Sequence, residues 1–402
     1  MRTFLAMLAG KAIRFLIRRV RRGGGSALPG TIAATIQPKL LNRVIDSSAL
    51  GLVVVSGSAG KSSTTKMLVE LLRAHGLKVF TNPSTANIKQ GLYAAILQFA
   101  DYRGRIEADI VVLEWDEGHG AALAEELKPK LAILTNVFSD QLDRFIDPEV
   151  VTEKLKEIYC HSEKVVINVD DKNLTQFAAR EKSIGFSSAK SNLPPLEYAL
   201  NFGADPNLPA SVEVLSHDQE SIQFSAHGRM LSIAAKNPAT HQAMNLAAAI
   251  AATAEIISPD WSLVEKTLSS LPPVFARDEI ADIRGRRVRL MLVQNPTSFR
   301  LNLQEISGEE RPLMLMAGGD IHDPSWLWTV DFSKLSFVDI VGGRNAHELA
   351  LRLRYQGVSI GAIHPEASDA SEAFLAISGD SPTILFSADA MRRTRRYLGL
   401  AK

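Results

Sequence analysis

The stretch 53-VVVSGSAGKSSTTKML-68 decides how the chain is read. A run of β-branched residues gives way to Gly57 and Gly60 around a Ser-Ala pair, and Lys61 then opens an amphipathic segment rich in hydroxyls. Branching at Cβ favours a strand, and the segment from Lys61 has helical spacing. A strand, a glycine loop and a helix in that order make a phosphate cradle. Gly57 and Gly60 can take positive φ and let backbone N–H groups approach phosphate oxygens. Lys61 supplies a point charge, the Ser62 hydroxyl can ligate Mg²⁺, and Ser58 and Ser63 line the loop ahead of a positive helix N-terminus. The common nucleotide loop reads G-x-x-x-x-G-K-[ST]. Its first glycine would fall at Val55, so this is a shorter form.

Outward from the loop, the apolar runs 52-LVVVSG, 110-IVVLEW, 131-LAILTN and 164-KVVINVD alternate with helical segments near 61–75, 85–100, 119–127 and 149–160. Nearly all-apolar strands between helices predict a parallel sheet covered on both faces. Residues 183–235 change character: turn-rich pieces lead into alternating stretches such as 221-SIQFSAHGRMLSIAA, expected to extend the domain as antiparallel strands. An alanine-rich helix follows at 241–257, and 271-LPPVFARDE-279 reads as a linker. From about 280 a second α/β pattern begins, with strands at 288-VRLMLV, 313-LMLMA, 337-FVDIVG and 383-TILFSA and helices near 298–306, 345–356 and 387–400. The expected domains are 1–50, 51–272 and 273–402. The fold class is α/β, a parallel-sheet phosphate-loop domain followed by a smaller Rossmann-like domain.

The 402 residues carry a net charge of +1, which excludes a global field for nucleic acid. The balance is uneven. Residues 1–22 hold seven basic residues (Arg2, Lys11, Arg14, Arg18, Arg19, Arg21, Arg22) and no acid, against 38 basic and 44 acidic residues in the rest. At ~100° per residue, Lys11, Arg14, Arg18, Arg21 and Arg22 share one side of a helix, and Leu5, Leu8, Ala12, Leu16 and Val20 share the other. Two readings stay open: a basic helix packed on the protein, or one lying on an anionic membrane surface. No apolar run approaches the ~20 residues that span a bilayer. The only cysteine, Cys160, excludes an internal disulfide and a cysteine-rich zinc site, and fits a reducing cytoplasm, at its membrane face on the second reading of the helix.

The loop G-S-A-G-K-S-S-T-T resembles the G-T-N-G-K-T-T-T loop of the Mur ligase superfamily, whose ATP-dependent enzymes activate a carboxylate as an acyl phosphate for attack by an amine. The resemblance implies site residues in chain order. In 81-TNPSTANIKQGL-92, Asn87 falls where the family has an asparagine near the transferred phosphate. In 110-IVVLEWDEG-118, Glu114 takes the place of the Mg²⁺-binding glutamate, and that end of a parallel strand is where open sheets bind ligands. Without the resemblance Glu114 and Glu117 read equally as solvated loop acids. In 241-HQAMNLAAAIAA-252, Asn245 matches the asparagine that reads adenine, with Gln242 in place of the family's first asparagine. In 276-ARDE-279, Arg277 matches an interdomain arginine that reaches phosphate.

A narrower resemblance is to the MurT family, the ATP-using subunits that amidate the D-glutamate α-carboxylate of lipid II with ammonia from a GatD glutaminase. It rests on Gln141 in D-Q-L-D-R-F, on 292-LVQNPTSF-299, on 320-DIHDPSWLWTVDF-332 and on 341-VGGRNAHELALRLRYQGV-358. It implies ATP and Mg²⁺ as cofactors, a GatD-like partner and a lipid-linked muropeptide substrate. It also implies that Asp323, with Asp320 as second choice, orients the partner's catalytic histidine. Trp326 and Trp328 read as packing residues.

The chain departs from that pattern in several places. The four cysteines of the family's zinc ribbon are missing from 183–235, so no zinc is expected there. Ile321 and His322 replace the glycine and arginine of D-G-R-D, and Gln294 replaces the lysine of K-N-P. Lys154 and Lys156 are the only, weak, counterparts of the superfamily's carbamoylated lysine. Only about 50 residues precede the loop, too few for the UDP-sugar domain of ordinary Mur ligases, which favours a lipid-linked substrate. Two alternatives stay open beside the amidating subunit: a self-sufficient amino-acid ligase of the folylpolyglutamate type, and a non-catalytic ATP-binding relative.

Overall fold

The computed structural model describes residues 2–20, 28–82, 89–137, 148–189, 208–236, 238, 240–271, 277–293, 296–321 and 324–400. They fall into two compact units, one reaching to Leu271 and one built from the residues after it.

The first unit opens with three helices, α1 (Arg2–Val20), α2 (Leu28–Ile36) and α3 (Leu40–Asp46). The alternation then runs β1 (Leu52–Ser56), α4 (Lys61–Ala74), β2 (Val79–Thr81), α5 (Lys89–Phe99), β3 (Ile110–Glu114), α6 (Glu117–Leu127), β4 (Leu131–Leu134), α7 (Pro148–His161), β5 (Lys164–Asn168) and α8 (Lys172–Thr175). It continues through β6 (Ser183–Ser188), β7 (Ala210–His217), β8 (Ser221–Ala226), β9 (Arg229–Ala234), α9 (Thr240–Ile256) and α10 (Trp261–Ser269). One nine-stranded sheet results, in the order β2-β3-β1-β4-β5-β6-β7-β8-β9.

Pairing is parallel from β2 to β7 and antiparallel at β7–β8 and β8–β9. The antiparallel extension expected over 183–235 therefore starts only at β7. β6 is a parallel strand of the main sheet, because its Phe186, Ser187 and Ser188 are buried like their neighbours rather than alternating. β1, β3 and β4 are buried at every position, as strands covered on both faces must be. On one face, Leu68 and Leu72 of α4 and Ala247, Ile250 and Ala251 of α9 pack with Val53, Val55, Val112 and Ile133. The small alanines allow α9 to lie close to the sheet and to α4.

α1 is seated by its small-residue face. Thr3, Ala6, Met7 and Gly10 are buried, whereas Leu5, Leu8, Ala12 and Leu16 are exposed. A Cβ on Gly10 would meet the Leu97 methyls at 2.6 Å, so the small-residue face is the one that fits against α5. Two basic residues face the protein instead: Lys11 Nζ donates to the Ala100 carbonyl at 2.7 Å and Arg14 to Gln98 Oε1 at 2.7 Å.

The second unit comprises β10 (Arg277–Ile283), β11 (Arg286–Leu292), α11 (Pro296–Gln304), β12 (Leu313–Met316), β13 (Phe337–Gly342), α12 (Ala346–Tyr355), β14 (Ser359–His364), α13 (Ala367–Ala376), β15 (Thr383–Phe386) and α14 (Ala388–Tyr397). A 3₁₀ stretch at Pro324–Thr329 lies between β12 and β13. The sheet order is β10-β11-β15-β12-β13-β14, all parallel except for β10. Of the stretch 271–279 read as a linker, Arg277–Glu279 belong to β10, paired antiparallel with β11, and residues 272–276 lie outside the described residues. β14 and α13 were not foreseen from the sequence: 359-SIGAIH-364 is only partly buried at an edge and lacks the apolar run that marked the other strands. Helices cover both faces. Phe299, Phe332, Leu349 and Leu353 fill one side, and Ile283, Phe374, Met314 and Ala390 the other.

Candidate nucleotide site

β1 lies between β3 and β4, and after β3 the chain crosses to the other side of β1 to form β4. Open parallel sheets bind ligands at such a switch point, beyond the carboxyl ends of the strands. The loop 57–60 sits there. Gly57 has φ 130° and Gly60 φ 86°, both conformations that a side chain would strain. Space forbids one as well: a Cβ would meet Thr135 Oγ1 at 2.2 Å from Gly57, and Asn245 Oδ1 at 2.2 Å from Gly60.

The loop is bedded on the end of β4. Ser58 N donates to the Asn136 carbonyl at 2.9 Å and Ala59 N to Asn136 Oδ1 at 2.8 Å. The Ala59 carbonyl accepts from Thr135 Oγ1 at 2.7 Å and from Asn136 Nδ2 at 3.1 Å. Ser62 and Ser63 follow Lys61 in the first turn of α4, whose N-cap is Gly60 in the left-handed region.

Lys61 is held on three oxygens. Its ammonium donates to the Gly57 and Ser58 carbonyls and to Glu117 Oε1, the last at 2.6 Å. The Glu117 side chain is only 4% exposed, at the first position of α6, where the helix dipole favours an acid. Asp116 caps the same helix, accepting from His119 N at 3.2 Å.

Glu114 ends β3 beside Val55 of β1, and is 4% exposed. Its backbone is clamped by Asn82, which accepts from Glu114 N at 2.9 Å and donates to Glu114 O at 3.1 Å. Asn245, on α9, lies against Gly60 and accepts from Thr64 Oγ1 at 3.3 Å. The structure thus brings Gly57, Ser58, Gly60, Lys61, Ser62, Ser63 and Asn245 into one cluster, with Glu114 on the neighbouring strand end. Asn87, Gln141 and Asp323 lie outside the described residues, as does the side chain of Arg277. Lys154 and Lys156 are half-exposed on α7, paired with Glu157 and Glu153 of the same helix.

Beneath the site lies a buried acid pair. Asp171 accepts from Val137 N at 2.7 Å, just past β4, and Asp170 from Ser188 N at 2.8 Å. Burial pushes the Asp171 carboxyl up to about 7 and that of Asp170 up to about 6, against the opposing pull of their backbone N–H donors.

Sequence reasoning missed five of these residues. Glu117 was read only as a loop acid, and its partnership with Lys61 spans 56 positions. Asn82 and the Thr135–Asn136 pair went unassigned, although polar residues directly after an apolar strand were a usable signal. Asp171 carried none, because two adjacent acids after a strand read as a turn.

The corresponding edge of the second unit is organised differently. Asp320 Oδ1 accepts from Ser387 Oγ at 2.6 Å, while Ser387 Oγ accepts from Gly318 N at 2.8 Å. Asp389 Oδ2 accepts from Gly319 N at 3.1 Å and from Arg393 Nε at 3.0 Å. Asp320 is therefore engaged within its own unit. Trp326 is buried against Phe299, as expected of a packing residue, whereas Trp328 is half-exposed with its ring against Tyr355.

Residues 55–253 match the Mur ligase middle domain and residues 292–386 the MurT ligase C-terminal domain. Several solved structures share the fold. A pseudomurein peptide ligase type C from Methanothermus fervidus superposes with a TM-score of 0.71 at 16% identity, covering 88% of this chain and 78% of that one. The MurF ligase of Thermotoga maritima, solved in complex with ADP, gives a TM-score of 0.66 at 19% identity, covering 92% and 83%. The chain belongs to the Mur ligase family. Within it the resemblance is to MurT: the MurT subunit of the glutamine-hydrolyzing lipid II isoglutaminyl synthase from Streptococcus pneumoniae (strain ATCC BAA-255 / R6) is 26% identical over 89% of this chain and 88% of its own.

Proposed function

We propose that this chain is the ATP-using subunit of an amidating ligase that converts the D-glutamate α-carboxylate of a lipid-linked muropeptide to the amide, with ammonia from a GatD-like glutaminase partner. The observation that carries this reading is the joining, in one chain, of a Mur-type phosphate loop whose lysine rests on Glu117 and a C-terminal segment of the MurT kind. The Asn245 side chain beside that loop supports the nucleotide assignment.

Lys61 exchanges its internal carboxylate and carbonyl partners for the β- and γ-phosphates of ATP, and Gly57 and Gly60 admit those phosphates because neither carries a side chain. Mg²⁺ keeps several waters and needs only one or two protein oxygens beside the phosphates. The Ser62 hydroxyl and the Glu114 carboxylate fit that demand, and would hold the ion where it neutralises phosphate charge. A carboxylate oxygen of the substrate attacks the γ-phosphorus and ADP leaves. The lone pair of ammonia then attacks the acyl carbon, phosphate departs with the C–O bonding pair, and the nitrogen loses a proton. The contribution of the chain is positioning and charge neutralisation.

The test is to incubate the purified chain and a candidate glutaminase with lipid II, Mg-ATP and glutamine. The product is followed by mass spectrometry for replacement of one hydroxyl by an amine, alongside ADP release. Amide formation requiring both proteins supports the reading. Transfer of a whole amino acid, without the glutaminase, overturns it in favour of a self-sufficient ligase. ATP binding without substrate-dependent ADP release overturns it in favour of a non-catalytic relative.

A further inference from the structure

The outward face of α1 carries Phe4, Leu5, Leu8, Phe15 and Leu16, each between 46% and 60% exposed, with Ala12 exposed among them. The helix is seated by its opposite, small-residue face, so this apolar row is not an incomplete core. It extends over most of a 19-residue helix, about 28 Å at 1.5 Å per residue. A second element continues it. The half-exposed ring of Tyr102 lies 5.9 Å from that of Phe4, and Arg103 and Arg105 are exposed on the same loop. Gly104, at φ 74°, brings that loop close to Thr3, where a Cβ would meet the Thr3 methyl at 2.8 Å.

The charges on α1 itself have one sign. α1 contains no acid, and its Arg2 and Arg19 are exposed. The Arg19 guanidinium lies 4.6 Å from the centre of the Phe15 ring. The loop between α5 and β3 carries three acids, each engaged: Asp101 accepts from Arg103 N and Arg105 N at 2.8 Å each, Glu107 pairs with Lys78, and Asp109 accepts from Lys78 N at 2.7 Å. Lys11 and Arg14 anchor the helix from below.

We propose that this face, formed by α1 together with Tyr102, Arg103 and Arg105, docks in the plane of an anionic lipid bilayer. No helix among the described residues is long and apolar enough to cross a membrane. An in-plane helix needs only one apolar face, with cations level with the headgroups. Apolar side chains enter the acyl boundary while the guanidinium groups pair with lipid phosphates. A second copy of the chain is a poorer occupant, because it would set one positive rim against another. The proposal rests on the helix and its loop, independently of the ligase reading, and its test uses neither nucleotide nor substrate.

The full chain is sedimented with vesicles of phosphatidylcholine alone and of phosphatidylcholine mixed with phosphatidylglycerol. Binding is expected to the mixed vesicles, weakening as salt rises. The double variant Leu8→Glu/Leu16→Glu should lower partitioning by about tenfold or more. Arg103→Glu/Arg105→Glu should selectively lower binding to the anionic vesicles. All four positions are exposed, so unchanged thermal melting is expected and serves as the folding control. Wild-type protein that ignores anionic vesicles, or partitioning unmoved by the leucine changes, overturns the proposal. So does a wild-type dimer, seen by sedimentation velocity, that the leucine variant dissolves while neither protein binds vesicles.

Discussion

The two sheets of this molecule reach the same topological situation and resolve it in opposite ways. In the first, the chain crosses over β1, and in the second β15 inserts between β11 and β12. Each crossing leaves a crevice at the carboxyl ends of parallel strands, where α/β proteins usually bind ligands. At the first crevice the protein places a cation, Lys61, on an acid, with two glycines that leave room for an anion. At the second, its own anions are already in position. Asp320 takes the Ser387 hydroxyl, and Asp389 takes the Gly319 amide. An edge whose donors are bonded to its own carboxylates has little to offer a phosphate. Topology therefore marks where a site can form, and the local charge decides whether one does.

The sharpest way to break this contrast is Lys61→Ala. Removing the cation aimed at transferring phosphate should reduce ATP-dependent turnover by roughly 10²–10³-fold, measured as substrate-dependent ADP release, with thermal stability retained. Unreduced turnover would place the nucleotide elsewhere. Gly60→Ala comes next. The new Cβ collides with Asn245 Oδ1 at positive φ, and strain of about 1–3 kcal/mol should appear both as a lower melting temperature and as weaker binding of a nucleotide analogue in calorimetry.

Ser387→Ala tests the other edge. It leaves the buried Gly318 N–H and the Asp320 carboxylate short of a partner, at a cost of about 1–3 kcal/mol. Denaturation followed by tryptophan fluorescence should show the loss, while affinity for the nucleotide analogue stays at the wild-type value. A fall in that affinity would mean that the second crevice also serves the nucleotide.

The smallest expected effect is a pH dependence. Asp171 titrates near 3.8 when unfolded and at about 7 when folded, because burial disfavours its charge. Between those values the folded state binds the extra proton, so this contribution to stability is complete below about 4 and is lost as the pH rises through about 7. Asp170 acts in the same direction over a narrower range, up to about 6. The stability advantage of wild type over Asp171→Asn, read from urea midpoints, should shrink across that window. A constant difference would mean that the carboxyl is ionised throughout.

Much of this architecture was legible in the residues. The apolar strands announced a parallel sheet, and the glycine–lysine–serine loop announced the anion end of the first crevice. What escaped was long-range pairing. Nothing near Lys61 in the chain says that Glu117 will reach it, and nothing in T-N after β4 says that both side chains will brace Ala59. α1 shows a different limit. A helical wheel gives the phase of the apolar stripe but not which side faces in. Here the inward side was decided by how closely Gly10 could approach Leu97 of α5, which outweighed the bulk of Leu8 and Leu16. At 359-SIGAIH-364 an edge strand lacked the burial that makes strands readable.

The bonds from Thr135 and Asn136 to Ser58 and Ala59 have a kinetic consequence. The curve of the loop is set when the protein folds, so the entropy of shaping it is not charged again at each encounter with nucleotide. Capture can then proceed at a rate governed by diffusion and by exchange of the lysine's partners, and whatever slow motion limits the cycle has to be sought away from the loop.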